Sequence, residues 1–157
     1  MKINSNKPPA RRAHYTMLKT EGFKLKTRFC RPGRPQTISR VLVVDDHASL
    51  LRMFGDILQR WGFIAELIDP QFHIPDQIIR FMERDKGIKY DAIIMDGEMP
   101  GTSGADLVRI LRARGFEGYI IANSGYPHLR GEMIEAGADF EMTDKSPGGF
   151  RDLFEVN

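Results

Sequence analysis

Cysteine and long apolar runs are the features that this 157-residue sequence has least of. Its single cysteine, Cys30, excludes an internal disulfide and a cysteine-rich zinc site, and it suits a reducing compartment. No apolar run approaches the roughly 18 residues that a membrane span needs. The polar, basic N-terminus also lacks the apolar core of a secretory signal. We therefore expect a cytoplasmic protein that does not contact the membrane.

Acidic residues are almost missing from the first part of the chain. Residues 1–39 contain ten Lys and Arg and one acid, Glu21, whereas residues 40–157 contain 13 bases and 20 acids. The net charge of +2 therefore hides a basic arm ahead of an acidic region. Because prolines interrupt the arm and no helical or strand period is sustained in it, we expect a mostly disordered extension with a weak helical turn around Tyr15–Leu18.

The basic arm leaves three interpretations open besides that of a solvated extension. An arm of this charge can contact nucleic acid through its phosphates, dock onto an acidic partner, or fold back on the acidic part of the same chain. The arm contains no recognisable helix-turn-helix or zinc-binding pattern. Any contact with nucleic acid is therefore expected only through residues 1–39.

Strand and helix patterns alternate five times from Arg40 onwards. Short apolar runs predict strands at Val41–Val44, Ile64–Ile68, Ala92–Met95, Tyr119–Ala122 and Phe140–Thr143. Helical spacing and caps predict helices at Ser49–Trp61, Asp76–Arg84, Ala105–Arg114, Leu129–Ala136 and Phe150–Val156. Such alternation is typical of an α/β domain, here residues 40–157, with a doubly wound parallel sheet and helices on both faces.

Polar residues follow the predicted strands at the edge where parallel sheets bind their ligands. Asp45 and Asp46 follow the first strand, Asp96 the third, Ser124 the fourth and Lys145 the fifth. Carboxylates at one edge repel each other unless a cation neutralises them, and Mg²⁺ prefers such oxygen ligands. A carboxylate, a magnesium ion, a hydroxyl and a lysine together are typical of phosphoryl transfer.

Four segments make this part of the chain resemble the response-regulator receiver (CheY-like) family. They are VLVVDD, YDAIIMDGEMPGTSG, IIANSG and AGADFEMTDKS, in the family's order, with D-x-x-M-P-x-x-x-G as the most specific pattern. The resemblance covers residues 40–157 and implies a flavodoxin-like five-stranded sheet of order 2-1-3-4-5. It also implies a two-component or phosphorelay protein that catalyses only its own phosphorylation and dephosphorylation and is otherwise not an enzyme.

The resemblance gives each candidate residue a role. Asp96 matches the phosphoacceptor, while Ser124 and Lys145 match the residues that hold phosphoryl oxygens. The implied ligands of Mg²⁺ are the carboxylates of Asp45, Asp46 and Asp96 and the backbone carbonyl of Glu98. The implied partners are a sensor histidine kinase or histidine phosphotransfer protein as the donor, and a downstream protein target.

The sequence departs from the family at the lysine. After Ala136–Ala138 the family reaches its lysine at the sixth residue, whereas here Asp144 is the sixth and Lys145 the seventh. We favour Lys145 with a one-residue bulge, because a fourth acid would increase the repulsion at the site. The irregular spacing keeps open a second hypothesis, a degenerate receiver that binds partners without being phosphorylated. His47 borders the acidic pair, and no role is assigned to it.

Overall fold

The computed structural model of this chain describes residues 22–70, 90–142 and 144–155. The described strands are β1 (Phe23–Lys24), β2 (Thr37–Ile38), β3 (Arg40–Val44), β4 (Ile64–Ile68), β5 (Ala92–Asp96), β6 (Glu98–Met99), β7 (Thr102–Ser103), β8 (Tyr119–Asn123) and β9 (Phe140–Glu141). The described α-helices are α1 (Ala48–Trp61), α2 (Gly104–Ala113), α3 (Pro127–Ala136) and α4 (Pro147–Arg151). The helix predicted at Asp76–Arg84 and the turn predicted at Tyr15–Leu18 lie outside the described residues.

Five parallel strands form the central sheet in the order β4-β3-β5-β8-β9. Counted among themselves along the chain, these strands have the order 2-1-3-4-5, so the predicted doubly wound sheet is confirmed. The three central strands are buried over almost their whole length, because helices or loops cover both faces. Their continuous apolar sequences are therefore those of parallel strands that have no solvated face.

Two apolar clusters hold the layers together, one on each face of the sheet. Phe54 and Leu58 of α1 pack on one face together with Phe150 of α4. Leu107 of α2 and Met133 of α3 pack on the other face. None of the helices in the described ranges is long and apolar enough to cross a membrane.

Local capping sets where the helices begin and end. Gly62 ends α1 with a φ of 98°, a left-handed conformation that glycine adopts without the steric cost a Cβ brings. The last helix begins earlier than predicted, at Pro147, and it ends at Arg151. The reason is that Ser146 caps it by accepting a hydrogen bond from the backbone N–H of Gly149, and proline is favoured in a first turn.

Residues 22–38 are folded against the domain, so the expected disorder of the arm is wrong for this segment, which we call the N-terminal cover. Strands β1 and β2 pair antiparallel within it. Leu25 and Ile38 are both only 1% exposed and join the cluster around α1 and α4. The cover packs against the domain because Leu25 and Ile38, although far apart in sequence, are buried in the same apolar cluster. Residues 1–21 lie outside the described residues.

Candidate functional site

Strand register brings the polar residues side by side at the carboxyl edge of the sheet. Val44 of β3 pairs with Met95 of β5, so the next residues, Asp45 and Asp96, are neighbours. Asp96 in turn pairs with Asn123 of β8. Asp45, Asp96 and Asn123 are all buried. The topology therefore places two carboxylates and an amide in one row with little contact to water.

The carboxylates form an acidic cluster with an imidazole beside it. Asp45, Asp46, His47 and Asp96 each offer one ligand-type atom within 4.8 Å of all the others. The Nδ1 atom of His47 lies 3.0 Å from Asp45 Oδ1 and 3.2 Å from Asp46 Oδ1. The three predicted carboxylates are thus brought together. His47, which sequence reasoning noted only as a neighbour, belongs to the same group.

Lys145 reaches the acidic cluster from the loop between β9 and α4. Its Nζ donates a hydrogen bond of 2.9 Å to Asp96 Oδ1 and lies 3.3 Å from Asp45 Oδ2. Burial alone would lower the pKa of Lys145, but the carboxylates of Asp96 and Asp45 outweigh it and raise that pKa above its ordinary value. Asp144 instead accepts a hydrogen bond from the hydroxyl of Ser146 at 2.8 Å. The structure therefore places Lys145, and not Asp144, at the cluster.

The carboxyl group of Asp96 is held by one oxygen only. Oδ1 accepts hydrogen bonds from Lys145 and from the backbone N–H of Gly97 at 2.8 Å. Oδ2 is buried and has no donor among the described residues. Burial, followed by the charge of Asp45, raises the pKa of Asp96 to about 6 although Lys145 opposes the shift. At neutral pH the carboxyl group of Asp96 is still mainly ionised. Its Oδ2 has lone pairs that accept no hydrogen bond from the described residues.

Ser124 and Glu98 line one cavity with Asp46 and Asp96 of the acidic cluster. Ser124 is buried, and its Oγ accepts a hydrogen bond of 3.2 Å from the backbone N–H of Tyr126. Gly97 is packed so closely that a Cβ there would lie 3.0 Å from the Cβ atoms of both Leu129 and Ser124. Glu98 has an exposed side chain at the start of the β6–β7 hairpin. The use of its carbonyl as a ligand stays a prediction.

A cavity of about 430 Å³ opens above these residues. It is lined by Asp96, Ser124 and Lys145 together with Met99, Pro100, Gly125, Tyr126 and Leu129. Sequence reasoning named Met99 and Pro100 within its most specific pattern but did not expect Tyr126 or Leu129 to line the site. It also attached no role to Asn123, whose amide is 1% exposed without a hydrogen-bond partner among the described residues. A buried asparagine at the end of an otherwise apolar strand was the available signal.

Comparison with known proteins gives a family match over most of the described domain. The sequence model of the family described as "Response regulator receiver domain" matches residues 41–144. Protein RcaC of Microchaete diplosiphon is 30% identical over 80 residues, which make up 50% of this chain. The chain spans only 11% of the length of that protein.

Solved structures with the same fold include three that bear on this site. A CheY-like receiver domain from Methylobacillus flagellatus is 26% identical with a TM-score of 0.60, over 74% of this chain and 96% of that one. The response regulator TrrA of Thermotoga maritima, solved in complex with Mg²⁺ and BeF, is 27% identical with a TM-score of 0.54, over 66% and 84% of the two chains. A response regulator of Burkholderia pseudomallei with a phosphorylated aspartic acid and a calcium ion has a TM-score of 0.60 at 19% identity, over 76% and 68% of the chains.

Proposed function

This chain belongs to the response regulator receiver domain family, and on that premise we propose that it is switched by phosphorylation of Asp96 at a site that uses Mg²⁺. Domains of this family are signalling domains. One observation carries the proposal for this chain. Asp96 Oδ2 is buried without a donor among the described residues, within a cluster of four groups that can hold a metal.

The residues present fit a magnesium ion. Oxygen ligands about 2.0–2.1 Å from a shared ion lie at most about 4.2 Å apart, and the ligand-type atoms of the acidic cluster all lie within 4.8 Å of one another, so a small contraction would bring them into range. Asp46 and Asp96 would hold the ion directly with the backbone carbonyl of Glu98, and Asp45 would complete the acidic surroundings. A bound ion would neutralise the negative charge on the oxygens of the transferred group. The complex of the similar Thermotoga maritima protein with Mg²⁺ and BeF supports this assignment.

The chain's own residues prepare Asp96 for attack. Lys145 and the N–H of Gly97 fix Oδ1, so the carboxyl plane is set while Oδ2 keeps its lone pairs. A new bond forms between Asp96 and phosphorus as the bond from phosphorus to the donor's leaving group breaks, and that group departs with its electron pair. The ammonium of Lys145 and the hydroxyl of Ser124 would then donate hydrogen bonds to phosphoryl oxygens.

The cavity suits a donor larger than phosphate. Its volume of about 430 Å³ leaves space for the ring or chain that carries the phosphoryl group. Because the chain belongs to the receiver family, a sensor histidine kinase or a histidine phosphotransfer protein is the proposed donor, and a downstream protein is the proposed target. The spacing that motivated a phosphorylation-independent receiver does not keep Lys145 from Asp96. No contact of the described residues favours nucleic acid as the partner.

The proposal is tested by intact-protein mass after incubation with acetyl phosphate, with and without Mg²⁺. We expect wild type to gain the mass of one phosphoryl group, and we expect Asp96→Asn or removal of Mg²⁺ to abolish the gain. Asp106→Asn is the matched control, since Asp106 is an exposed carboxylate on α2 that pairs with Arg109. A wild-type protein that acquires no phosphoryl group from acetyl phosphate or from a phosphorylated histidine donor would contradict the proposal.

A further inference from the structure

The N-terminal cover fills an aromatic face made of Phe63, Phe150 and Phe154. Phe23 of the cover stacks on Phe63 with ring centroids 4.2 Å apart and meets Phe154 edge-on at 6.1 Å. Phe150 lies 5.2 Å from Phe63 and 4.9 Å from Phe154, so the three rings form one surface. Aromatic pairs at such separations stabilise a fold by more than the burial of their apolar area alone would. The occupant of this face is therefore a segment of the chain itself.

Backbone hydrogen bonds tie the cover to the chain that leaves α4. The N–H of Lys26 donates to the carbonyl of Leu153 at 2.9 Å, and the N–H of Glu155 donates to the carbonyl of Lys24 at 2.8 Å. These bonds flank an antiparallel bridge between Leu25 and Phe154. The cover thus holds the residues just after α4 as a neighbouring strand would, and any movement of α4 acts on these bonds.

A short stretch of chain connects these backbone hydrogen bonds to the acidic cluster. Lys145 contacts Asp96, and the next residue, Ser146, caps α4 through the N–H of Gly149. Only the five residues Pro147–Arg151 are helical before the chain reaches the cover. Within that helix Phe150, a member of the aromatic face, is fully buried beside Phe63. The site and the cover are therefore attached to the two ends of one short element.

We propose that the aromatic face is a docking surface controlled by Asp96, with the N-terminal cover as its occupant while Asp96 is unphosphorylated. This inference rests on the proposed function. Lys145 Nζ donates a hydrogen bond of 2.9 Å to Asp96 Oδ1, whereas in the phosphorylated state it would donate to phosphoryl oxygens carried by Oδ2. Phosphorylation therefore displaces Nζ from its present position. The displacement moves Ser146, the next residue, and with it α4. The cover then no longer fits the aromatic face.

Thermodynamic linkage supplies a second consequence. If occupation of Asp96 weakens the cover, then a weaker cover must strengthen occupation of Asp96 by the same factor. Phe23→Ala removes the stacked ring of the cover and touches no residue of the acidic cluster. Leu111→Ala is the matched control, because Leu111 is buried in the cluster on the other face of the sheet. Its cavity lowers stability without loosening the cover.

Hydrogen exchange of the full chain tests the proposal, with beryllofluoride and Mg²⁺ as a stable substitute for the phosphoryl group. We expect peptides from residues 22–38 to exchange at least about fivefold faster when the site is occupied, which is the lower end of common allosteric couplings. Asp96→Asn should show no such change. We also expect Phe23→Ala to lower the beryllofluoride concentration for half occupation, and Leu111→Ala to leave it unchanged.

The outcomes separate this inference from the proposed function. If beryllofluoride and acetyl phosphate both fail to occupy Asp96 in wild type, the proposed function is wrong and the inference falls with it. If Asp96 is occupied but exchange in residues 22–38 is unchanged, the inference alone is overturned. Equal half-occupation concentrations for Phe23→Ala and Leu111→Ala would also overturn it, because linkage requires them to differ.

Discussion

Burial has opposite effects on stability at the carboxyl edge of the sheet, which carries the acidic cluster, and in the N-terminal cover. At the edge, Asp96 and Asn123 are buried with side-chain atoms that have no hydrogen-bond partner among the described residues. Each such atom costs free energy, since it has lost water and gained nothing in return. In the cover, Leu25 and Ile38 are equally buried, but they are apolar, and neighbouring backbone groups are paired. The cover stabilises the fold, and the edge keeps binding capacity at the expense of stability.

The charges of the two regions show the same contrast. The edge gathers like charges, with Lys145 as the cation between Asp96 and Asp45. In the cover, Arg34 pairs with Asp139 at 3.3 Å and Lys24 with Glu155 at 3.6 Å. The edge therefore has more carboxylates than cations and can bind a further cation, whereas Arg34 and Lys24 of the cover are paired within the chain. Substitutions in the two regions should consequently differ in the sign and the size of their effects.

The largest effect is expected from truncating the apolar side chains of the cover. Leu25→Ala and Ile38→Ala should each lower the free energy of unfolding by about 2–4 kcal/mol, as truncation in a packed core does. Urea denaturation measures the change, with Thr27→Ala as a control because Thr27 is exposed. Losses below about 0.5 kcal/mol, the range of ordinary surface substitutions, would show that the cover is not part of the core.

The next effect has the opposite sign and concerns Asp96. Its pKa is raised to about 6 in the folded chain from an ordinary 3.8, so its charged form opposes folding. This penalty is fully present above the folded pKa and declines as the pH falls from about 6 to the ordinary 3.8. Without metal, we expect Asp96→Asn to raise the free energy of unfolding by about 1–3 kcal/mol at pH 7.5. At about pH 4, close to the ordinary pKa of 3.8, the gain should be much smaller. A gain of equal size at both pH values would show that the buried charge of Asp96 is not its cause.

A smaller effect is expected at the lysine. Lys145→Met should slow labelling by acetyl phosphate about tenfold or more, since it removes the cation that would face the phosphoryl oxygens. Asp144→Asn is the control, because Asp144 contacts Ser146 and not Asp96. Phosphorylation rates from intact mass measure both. If Asp144→Asn slowed labelling as much as Lys145→Met, the distinction between these two neighbours would be wrong.

The smallest effects are expected from the ion pairs of the cover. Arg34→Gln should cost about 0.5–1 kcal/mol of stability, because partly exposed pairs are screened by water. Its side chain is 24% exposed and that of Asp139 is 8% exposed, whereas the Lys24–Glu155 pair is 62% and 41% exposed. Lys24→Gln should therefore change the urea midpoint by less than Arg34→Gln. The reverse order would mean that burial does not set the strength of these pairs.

The sheet and the position of the acidic cluster could be predicted because short, continuous stretches of sequence determine them. Val41–Val44 is a continuous apolar run that ends in two aspartates, and parallel strands place such ends at one edge. Asp96 follows the same rule. The distance between Lys145 and Asp96 could not be predicted, since it depends on a loop whose length departs from the family pattern.

The cover could not be predicted because the residues that fold it are far apart in the sequence. Leu25 and Ile38 are separated by a basic, proline-containing segment, and neither belongs to a periodic pattern. Their common core exists only once α1 and α4 have brought Phe63 and Phe154 together. The positive charge of the segment indicated disorder, but burial of its few apolar side chains outweighs that tendency. Composition describes a segment on average, whereas packing depends on particular residues.

The central claim, that Asp96 is the phosphoacceptor, is tested most directly by locating the acyl phosphate. After labelling with acetyl phosphate and Mg²⁺, borohydride reduces an aspartyl phosphate to homoserine, and peptide mass spectrometry identifies its position. We expect homoserine at position 96 in labelled wild type and none in unlabelled protein. Homoserine at position 45 or 46, or a phosphoryl group retained on His47 with Asp96 intact, would contradict the claim.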